Sequence, residues 1–432
     1  MTVIRFEGDE LEAHPDDNVA VALYRAGVRT LSRSIKYHRP RGIFCLAGHC
    51  GACLMRIDGQ PNVKACRTPC RDGLVVERQN AFPSADLDAL AAADFFFPRG
   101  MDHHTLMTGN RALNVVMQKV VRQIGGLGRL PDQPVATLPA PRRRHVEVVV
   151  VGAGPAGLAA ATALGRAGRQ VLLVDEQDRP GGSYLADPRF GLAAADRAVQ
   201  CARAAGAEIL RDAAVLAWYP EDAPATGAPP GLLAVHVHGQ GLLRLTAERY
   251  LYATGAYDQN ALFADNDRPG VLAARAVGRL LVQHGIVAGR RPVVLGAGPY
   301  ARALAEALQG AGAEVIRVDG VATRILAARG RSWVNGIEVL DPGGAKPRRI
   351  SCDMVVVAAL PAPASELPRQ HGAGVTLRPE AGGFACIVGG TGEAARGVWA
   401  CGDVTGFVGP AAAAWQGTAV GEAVARTFVD QP

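Results

Sequence analysis

Aromatic residues make up only 5% of this 432-residue chain, and they do not interleave with its basic residues. The net charge of +6 is dispersed, with Arg142-Arg143-Arg144 as the one dense basic run. Nucleic-acid binding is therefore not expected. No stretch of about 18 uncharged apolar residues occurs, so no membrane-spanning helix is expected. The opening MTVIRFEGDE has no apolar signal core, and a cytoplasmic protein is expected. Repeats of the solenoid kind are absent. So are a clear catalytic triad and paired carboxylates in a recognisable motif, which leaves catalytic residues unassigned. A second C-x2-C pair is missing too. Only Cys50 and Cys53 have that spacing, whereas zinc sites usually show two such pairs.

What the chain has is glycine, 52 residues of it, and nine cysteines. The glycine content suits nucleotide-binding α/β folds with tight turns. In a reducing compartment the cysteines fit metal ligation better than disulfides. Cys45, Cys50, Cys53 and Cys66 form C-x4-C-x2-C-x12-C. The first three match the plant-type run for a [2Fe–2S] cluster, whose fourth ligand arrives later in sequence. The loop must turn tightly around a small cluster, so Gly48 and Gly51 are expected to supply unusual backbone angles. Cys66 follows an expected hairpin: LMRI, a turn at Asp58-Gly59-Gln60-Pro61, then NVKA. Cys70 fits no ligand pattern and reads as a buried thiol. His49 reads as a solvent-facing loop residue, with a hydrogen bond to the cluster as the other reading.

Four segments are expected. Residues 1–88 read as a β-rich domain, with strands TVIRF and ELEAH joined at Glu7-Gly8-Asp9. A helix capped by Asp16, Asp17 or Asn18 runs through Tyr24 and ends at Gly27. Residues 89–144 are a connector with one helix over 111–124, stopped by Gly125-Gly126. His103 and His104 are adjacent, point different ways and make a poor metal pair. From 145 the pattern becomes strand, glycine loop, alanine-rich helix and acid-ended strand. A flavin domain is expected over 145–262 and 361–432, interrupted by a second dinucleotide domain over 263–360.

Gly152, Gly154 and Gly157 give G-x-G-x-x-G at the end of HVEVVVV, with Pro155 and Ala156 inside the loop. The first glycine makes the tight turn. The second lets backbone meet pyrophosphate, and the third lets helix pack on strand. The phosphates would sit at the positive helix N-terminus. Asp175, or Glu176 beside it, would accept from ribose hydroxyls. Gly182, Ala253-Thr254-Gly255 and Gly402-Asp403 complete the expected site, Asp403 on the ribityl chain of a flavin. A second motif carries Gly296, Gly298 and Ala301, with Asp319 ending the next strand. It permits either bound NAD or another adenine nucleotide, or a retained empty domain.

Taken together, these motifs resemble the two-dinucleotide-domain flavoproteins typified by thioredoxin and glutathione reductases. The fold class implied is α/β: two Rossmann-like domains preceded by a β-grasp ferredoxin-like domain. The redox cysteines of those reductases are missing from RPGVLAARAVGRLL and DRPGGSYLADP, so dithiol chemistry is not expected. SRSIKYHRPRGIF, the cysteine loop and FFFPRGMDHHTL add a closer resemblance. It is to the large subunit of heterotetrameric sarcosine oxidase and to the corresponding subunits of octopine and nopaline oxidases. Hydrogen cyanide synthase and multi-subunit proline and hydroxyproline dehydrogenases are similar too. The sarcosine oxidase subunit lacks the loop cysteines, so this chain is nearer the dye-linked dehydrogenase branch. It ends near 432 without a folate-binding half, and a folate-linked reaction is not expected of it.

The resemblance implies an FAD- and [2Fe–2S]-containing oxidoreductase subunit of a heteromeric amine or amino-acid dehydrogenase. A flavin-dependent oxidase-like partner, with a further small subunit as an option, would oxidise the substrate. This chain would pass the electrons through its cluster to its own FAD and an acceptor. The alternative is a self-contained NADH-dependent reductase that exports electrons to a separate protein. Sarcosine, proline, hydroxyproline, glycine and opines all stay open as substrates.

Overall fold

The computed structural model describes residues 1–35, 37–89, 139–220, 231–320 and 323–428, with isolated positions at 112, 114–116 and 131. Residues 112 and 114–116 are helical. The rest of the helix expected over 111–124, together with His103, His104 and FFFPRG, lies outside the described residues. The chain divides into two compact units. One takes residues 1–135, 260–280 and 286–358, and the other takes 136–259, 281–285 and 359–432.

The first unit opens with a five-stranded mixed sheet. Its order is Asp9–Ala13, Thr2–Phe6, Val75–Glu77, Leu54–Ile57, Gln60–Lys64. Thr2–Phe6 runs parallel to Val75–Glu77, and the other pairs are antiparallel. Ile4, Met55 and Val76 on these strands are fully buried, as is Leu23 on the helix Val19–Arg25. Asn18 is the cap among the three candidates: its side chain accepts from the Val21 N–H at 3.0 Å. This is the β-grasp arrangement expected at the N-terminus, with its strands within residues 2–77. The hairpin turn is tighter than the four-residue turn expected. Asp58 and Gly59 both have positive φ, 47° and 75°, and Ile57 already pairs with Gln60. A two-residue turn with both central residues at φ > 0 matches the strand twist, which is why Asp-Gly serves there.

The same unit contains a four-stranded parallel sheet, ordered Val271–Ala273, Met354–Val357, Pro292–Leu295, Ile316–Val318. Val293, Val355 and Val356 are fully buried, as expected of parallel strands covered on both faces. An antiparallel meander, Arg324–Gly330, Val334–Leu340 and Arg348–Ser351, adds Ile337 and Val339 to that core.

The second unit is built on parallel strands in the order Glu208–Leu210, Val171–Val174, Arg142–Val151, Gly241–Tyr252. Val398–Ala400 joins the far end of Gly241–Tyr252 in parallel, so residues near the C-terminus complete a sheet begun at 142. The basic run is the start of the first strand rather than a linker. Arg144 is tied to Glu208 at 2.7 Å and Arg142 to Gln240 at 2.7 Å. Helices Pro155–Arg166 and Pro410–Arg426 meet backbone to backbone. A Cβ on Gly417 would lie 2.0 Å from the Ala156 carbonyl oxygen.

On the other face of this sheet His371 is buried, 6% exposed, stacked 4.5 Å from Trp218. Its Nδ1 lies 2.9 Å from the Tyr252 hydroxyl. Burial pulls the imidazole from 6.5 down to about 4. The unfolded chain therefore takes up a proton that the folded one refuses. Stability is full above pH 6.5 and falls as the pH drops toward 4, by up to roughly 3 kcal/mol. Urea melts of wild-type and His371→Leu protein at pH 7.5 and 5 check this. The wild-type loss on acidification is expected to shrink by most of that amount in the variant.

Candidate functional site

The cysteine loop leaves the grasp domain between Ile43 and Leu54. Cys45, Cys53 and Cys66 are buried and Cys50 is half-buried. Their thiols fall into two hydrogen-bonded pairs, Cys45 with Cys50 and Cys53 with Cys66. In each pair one thiol is pulled down by the bond from its neighbour, Cys45 to about 5, and Cys53 likewise falls. The partners Cys50 and Cys66 are pushed up by the same bonds. In each pair the hydrogen bond from one thiol favours the thiolate form of the other, which is the form a metal ligand takes. Among the described residues no three His, Cys, Asp or Glu side chains converge on a single-ion site. Two thiol pairs suit two irons, two cysteines to each.

Main-chain N–H groups point at the sulfurs. Ala47 and Cys50 both donate to Cys45 Sγ at 3.4 Å, Ala52 donates to Cys50 and Gly48 to Cys66. Such donors stabilise sulfur charge. Gly48 has φ 81°, and a Cβ there would lie 2.9 Å from the Arg67 side chain. Gly51 does not have the positive φ expected of it. The second left-handed residue of the loop is Leu46, at φ 50°. Lys64 Nζ donates to the Gly48 carbonyl. Cys70 is half-buried outside both pairs, its thiol raised to about 12 by burial and by Asp17. His49 is exposed.

In the second unit all the first-motif residues meet at the start of helix Pro155–Arg166. Gly152 has φ 103°, and a Cβ on it would strike the Ala253 carbonyl oxygen at 2.3 Å. A Cβ on Gly157 would lie 1.8 Å from the Gly152 oxygen. Gly154 caps the helix, Pro155 is its first residue, and Ala156 is buried beneath Gly402. Unlike its neighbours, Gly154 has room: the nearest atom to a Cβ there is Gly182 Cα at 3.9 Å. Gly154 and Gly182 thus face each other with bare backbone, Gly182 at φ 52°. Asp175 is engaged with main chain, accepting from the Ala153 N–H and, at 2.7 Å, from the Gln177 N–H. Glu176 beside it is exposed. Thr254 Oγ1 donates to the Ala364 carbonyl at 2.7 Å, and Gly255 turns the chain at φ 74°.

Asp403 is 6% exposed. Its Oδ1 accepts from the N–H groups of Val408 and Gly409 at 3.0 and 3.1 Å, directly before helix Pro410–Arg426. The other oxygen, Oδ2, takes no bond from the described residues. The bare glycine faces and a helix N-terminus are what a dinucleotide pyrophosphate requires of protein, close backbone and an anion-binding dipole, and the Asp403 carboxylate could accept from a ligand hydroxyl. Sequence reasoning missed two contributors. Gly181 anchors the second glycine pair by donating to the Ala153 carbonyl at 2.8 Å, and Gln416 Oε1 accepts from the Gly402 N–H at 3.0 Å. Gly181 was legible as half of a Gly-Gly pair, whereas Gln416 carried no signal.

The second motif repeats the strand–loop–helix geometry in the first unit. Gly296 has φ 130°, Gly298 caps helix Pro299–Gly310 with open space around it, and Ala301 is buried in the third slot. Asp319 follows strand Ile316–Val318 and is exposed.

Residues 1–81 match the 2Fe-2S iron-sulfur cluster binding domain, and residues 146–335 match the pyridine nucleotide-disulphide oxidoreductase family. The alpha subunit of sarcosine oxidase from Rhizobium meliloti (strain 1021) is 32% identical over 332 residues, 72% of this chain and 33% of that protein. The chain thus spans about a third of the length of such relatives. L-proline dehydrogenase from P. horikoshii has the same fold, with TM-score 0.73 at 21% identity over 100% of this chain and 74% of that one. Thioredoxin reductase from T. acidophilum overlays on 66% of this chain and 100% of its own, with TM-score 0.52 at 18% identity. The chain accordingly carries a 2Fe-2S iron-sulfur cluster binding domain ahead of a segment that matches the pyridine nucleotide-disulphide oxidoreductase family, and over most of its length it resembles the alpha subunits of sarcosine oxidases.

Proposed function

We propose that this chain is the electron-transfer flavoprotein subunit of a heteromeric dehydrogenase acting on amines or amino acids at the C–N bond. A partner flavin subunit oxidises the substrate, and this chain carries the electrons away through its cluster and FAD to an acceptor. The observation that carries the reading is the occurrence of two hydrogen-bonded thiol pairs, three of the four thiols buried, and an open glycine cradle on one polypeptide. An FAD supplies two-electron chemistry and a [2Fe–2S] cluster one-electron chemistry when bound. Cys45, Cys50, Cys53 and Cys66 are the cluster ligands. Gly154 and Gly182 face the flavin pyrophosphate, Gly152 and Gly157 let strand and helix close up behind them, Glu176 or Asp175 faces the adenosine ribose, and Asp403 the ribityl chain. Gly296, Gly298, Ala301 and Asp319 are assigned to a second adenine nucleotide.

Anaerobic mixing tests the division of labour. Flavin bleaching is expected only when the partner subunit and a secondary amine or amino acid are both present. Prompt bleaching by NADH alone would instead favour the self-contained reductase. No described helix is long and apolar enough to cross a membrane.

Support for a partner also comes from the surface. A cavity of about 430 Å³ opens beside the Asp403 loop, lined by Arg378, Ile387, Val408 and Gln416 among others. Ile387 and Val408 are 51% and 39% exposed at this cavity. Apolar side chains left open around a cavity are a common mark of protein contact. We assign this rim to the catalytic subunit. Ile387→Asp is expected to weaken co-purification of the partner by about tenfold or more, without loss of flavin from this chain. Quantitative pull-down with absorbance at the flavin band checks it.

A further inference from the structure

The cysteine loop is held by more than its own domain. Within the first unit it is clamped onto the start of the second dinucleotide-binding segment. The Ala273 N–H donates to the Phe44 carbonyl at 3.0 Å, and Arg279 Nη1 donates to the Cys45 carbonyl at 3.1 Å. Gly42 presents bare backbone there, since a Cβ would lie 3.2 Å from Pro269 and 2.6 Å from the Arg29 oxygen. Tyr24 from the grasp helix reaches the Ala288 carbonyl and packs its ring 6.3 Å from Trp333. Two successive carbonyls of the cluster loop, one of them from a ligand residue, thus bond to the stretch where thioredoxin-reductase-like chains keep their own redox cysteines.

We propose that Arg279 is a positioning residue for the cluster and raises its reduction potential. The inference rests on the cluster reading above. Arg279 sits on helix Ala274–His284, half-buried, with its guanidinium fixed on the ligand residue Cys45. A reduced [2Fe–2S] cluster carries one more negative charge than the oxidised one, so a fixed cation close by favours reduction. Partial burial limits the screening that would cancel this at an exposed site. Lys64 on the Gly48 carbonyl and Arg67 against Gly48 give the loop two more cations, while residues 42–54 contain no Asp or Glu. Of these three cations Arg279 is the one from outside the grasp fold. It therefore ties the potential to the second dinucleotide segment, whose Tyr300 hydroxyl donates to the carbonyl of Ala274 at the head of the same helix.

The test is a redox titration of the full chain, followed by the EPR signal of the reduced cluster. Arg279→Gln is expected to shift the midpoint to more negative values with iron and sulfide content unchanged, and Arg279→Lys to stay near wild type. An unchanged midpoint in a fully loaded Arg279→Gln protein overturns the proposal, as does a Lys variant that shifts as far as the Gln one. Arg279→His guards against an unloaded Gln variant, because it switches the charge within one folded protein. Its midpoint should lie near wild type at pH 5.5 and fall below it by pH 8. A constant gap across that range also overturns the proposal. A wild-type chain with no iron would overturn the cluster reading itself, a separate outcome from a loaded cluster indifferent to Arg279.

Discussion

Cys53→Ser protein is expected to emerge from anaerobic purification with its [2Fe–2S] content reduced more than about tenfold, since even outer-shell partners of a metal site are worth that much. Cys53 is 3% exposed and hydrogen-bonded to the Cys66 thiol. Removing it takes one of the two thiolates from one iron and leaves Cys66 buried without its sulfur neighbour. The Cys45–Cys50 pair would remain, but a two-iron cluster needs both pairs. Cys70→Ser is the control. Its thiol is outside the pairs and raised to about 12, so its loss should leave iron, sulfide and the EPR signal of the reduced protein unchanged. Iron and sulfide analysis beside EPR checks both variants. Full loading of Cys53→Ser would break the ligand assignment.

The second large effect separates ligand contact from packing within one glycine motif. Gly157→Ala places a methyl 1.8 Å from the Gly152 oxygen, in a site closed on all sides. The helix must move off its strand, at a cost of about 1–3 kcal/mol or more, and flavin binding should fall with it. Gly154→Ala meets nothing closer than 3.9 Å, and its φ of −79° suits alanine. Its melting temperature should therefore match wild type, while its methyl fills the face proposed for pyrophosphate and flavin occupancy is expected to collapse. Thermal melts with flavin quantified by absorbance distinguish the two. If Gly154→Ala keeps its flavin, the cradle is not where the pyrophosphate sits.

Much of this was legible in the chain alone because the requirements are local. A strand that must turn at once into a helix needs glycine at the turn, so Gly152-x-Gly154-x-x-Gly157 announces itself without tertiary information. The same holds for a helix cap among Asp16, Asp17 and Asn18 and for a turn opening at Asp58-Gly59, although the structure alone picks Asn18 and shortens the turn to two residues. The cysteine spacing belongs to this class too, since a single loop must supply three ligands. Gly51 was misread because spacing says that the loop turns tightly and does not say which residue takes the left-handed angle; Leu46 does so beside Gly48.

Sequence by itself determined the fold class, the two glycine cradles and the cysteine quartet, because each is written in residues a few positions apart. Only the tertiary structure decided which thiol pairs with which, and that Asp403 spends one carboxylate oxygen on the Val408–Gly409 turn while its other oxygen takes no bond from the described residues. It also decided that the cluster loop is clasped by Ala273 and Arg279, which lie 229 and 234 residues away from Phe44 and Cys45 (273 − 44 and 279 − 45). The Arg279 bond joins a side chain to a main-chain carbonyl, and the Ala273 bond joins two main-chain groups. Every residue carries such carbonyls and nearly every one such N–H groups, so the sequence holds no mark of which will meet.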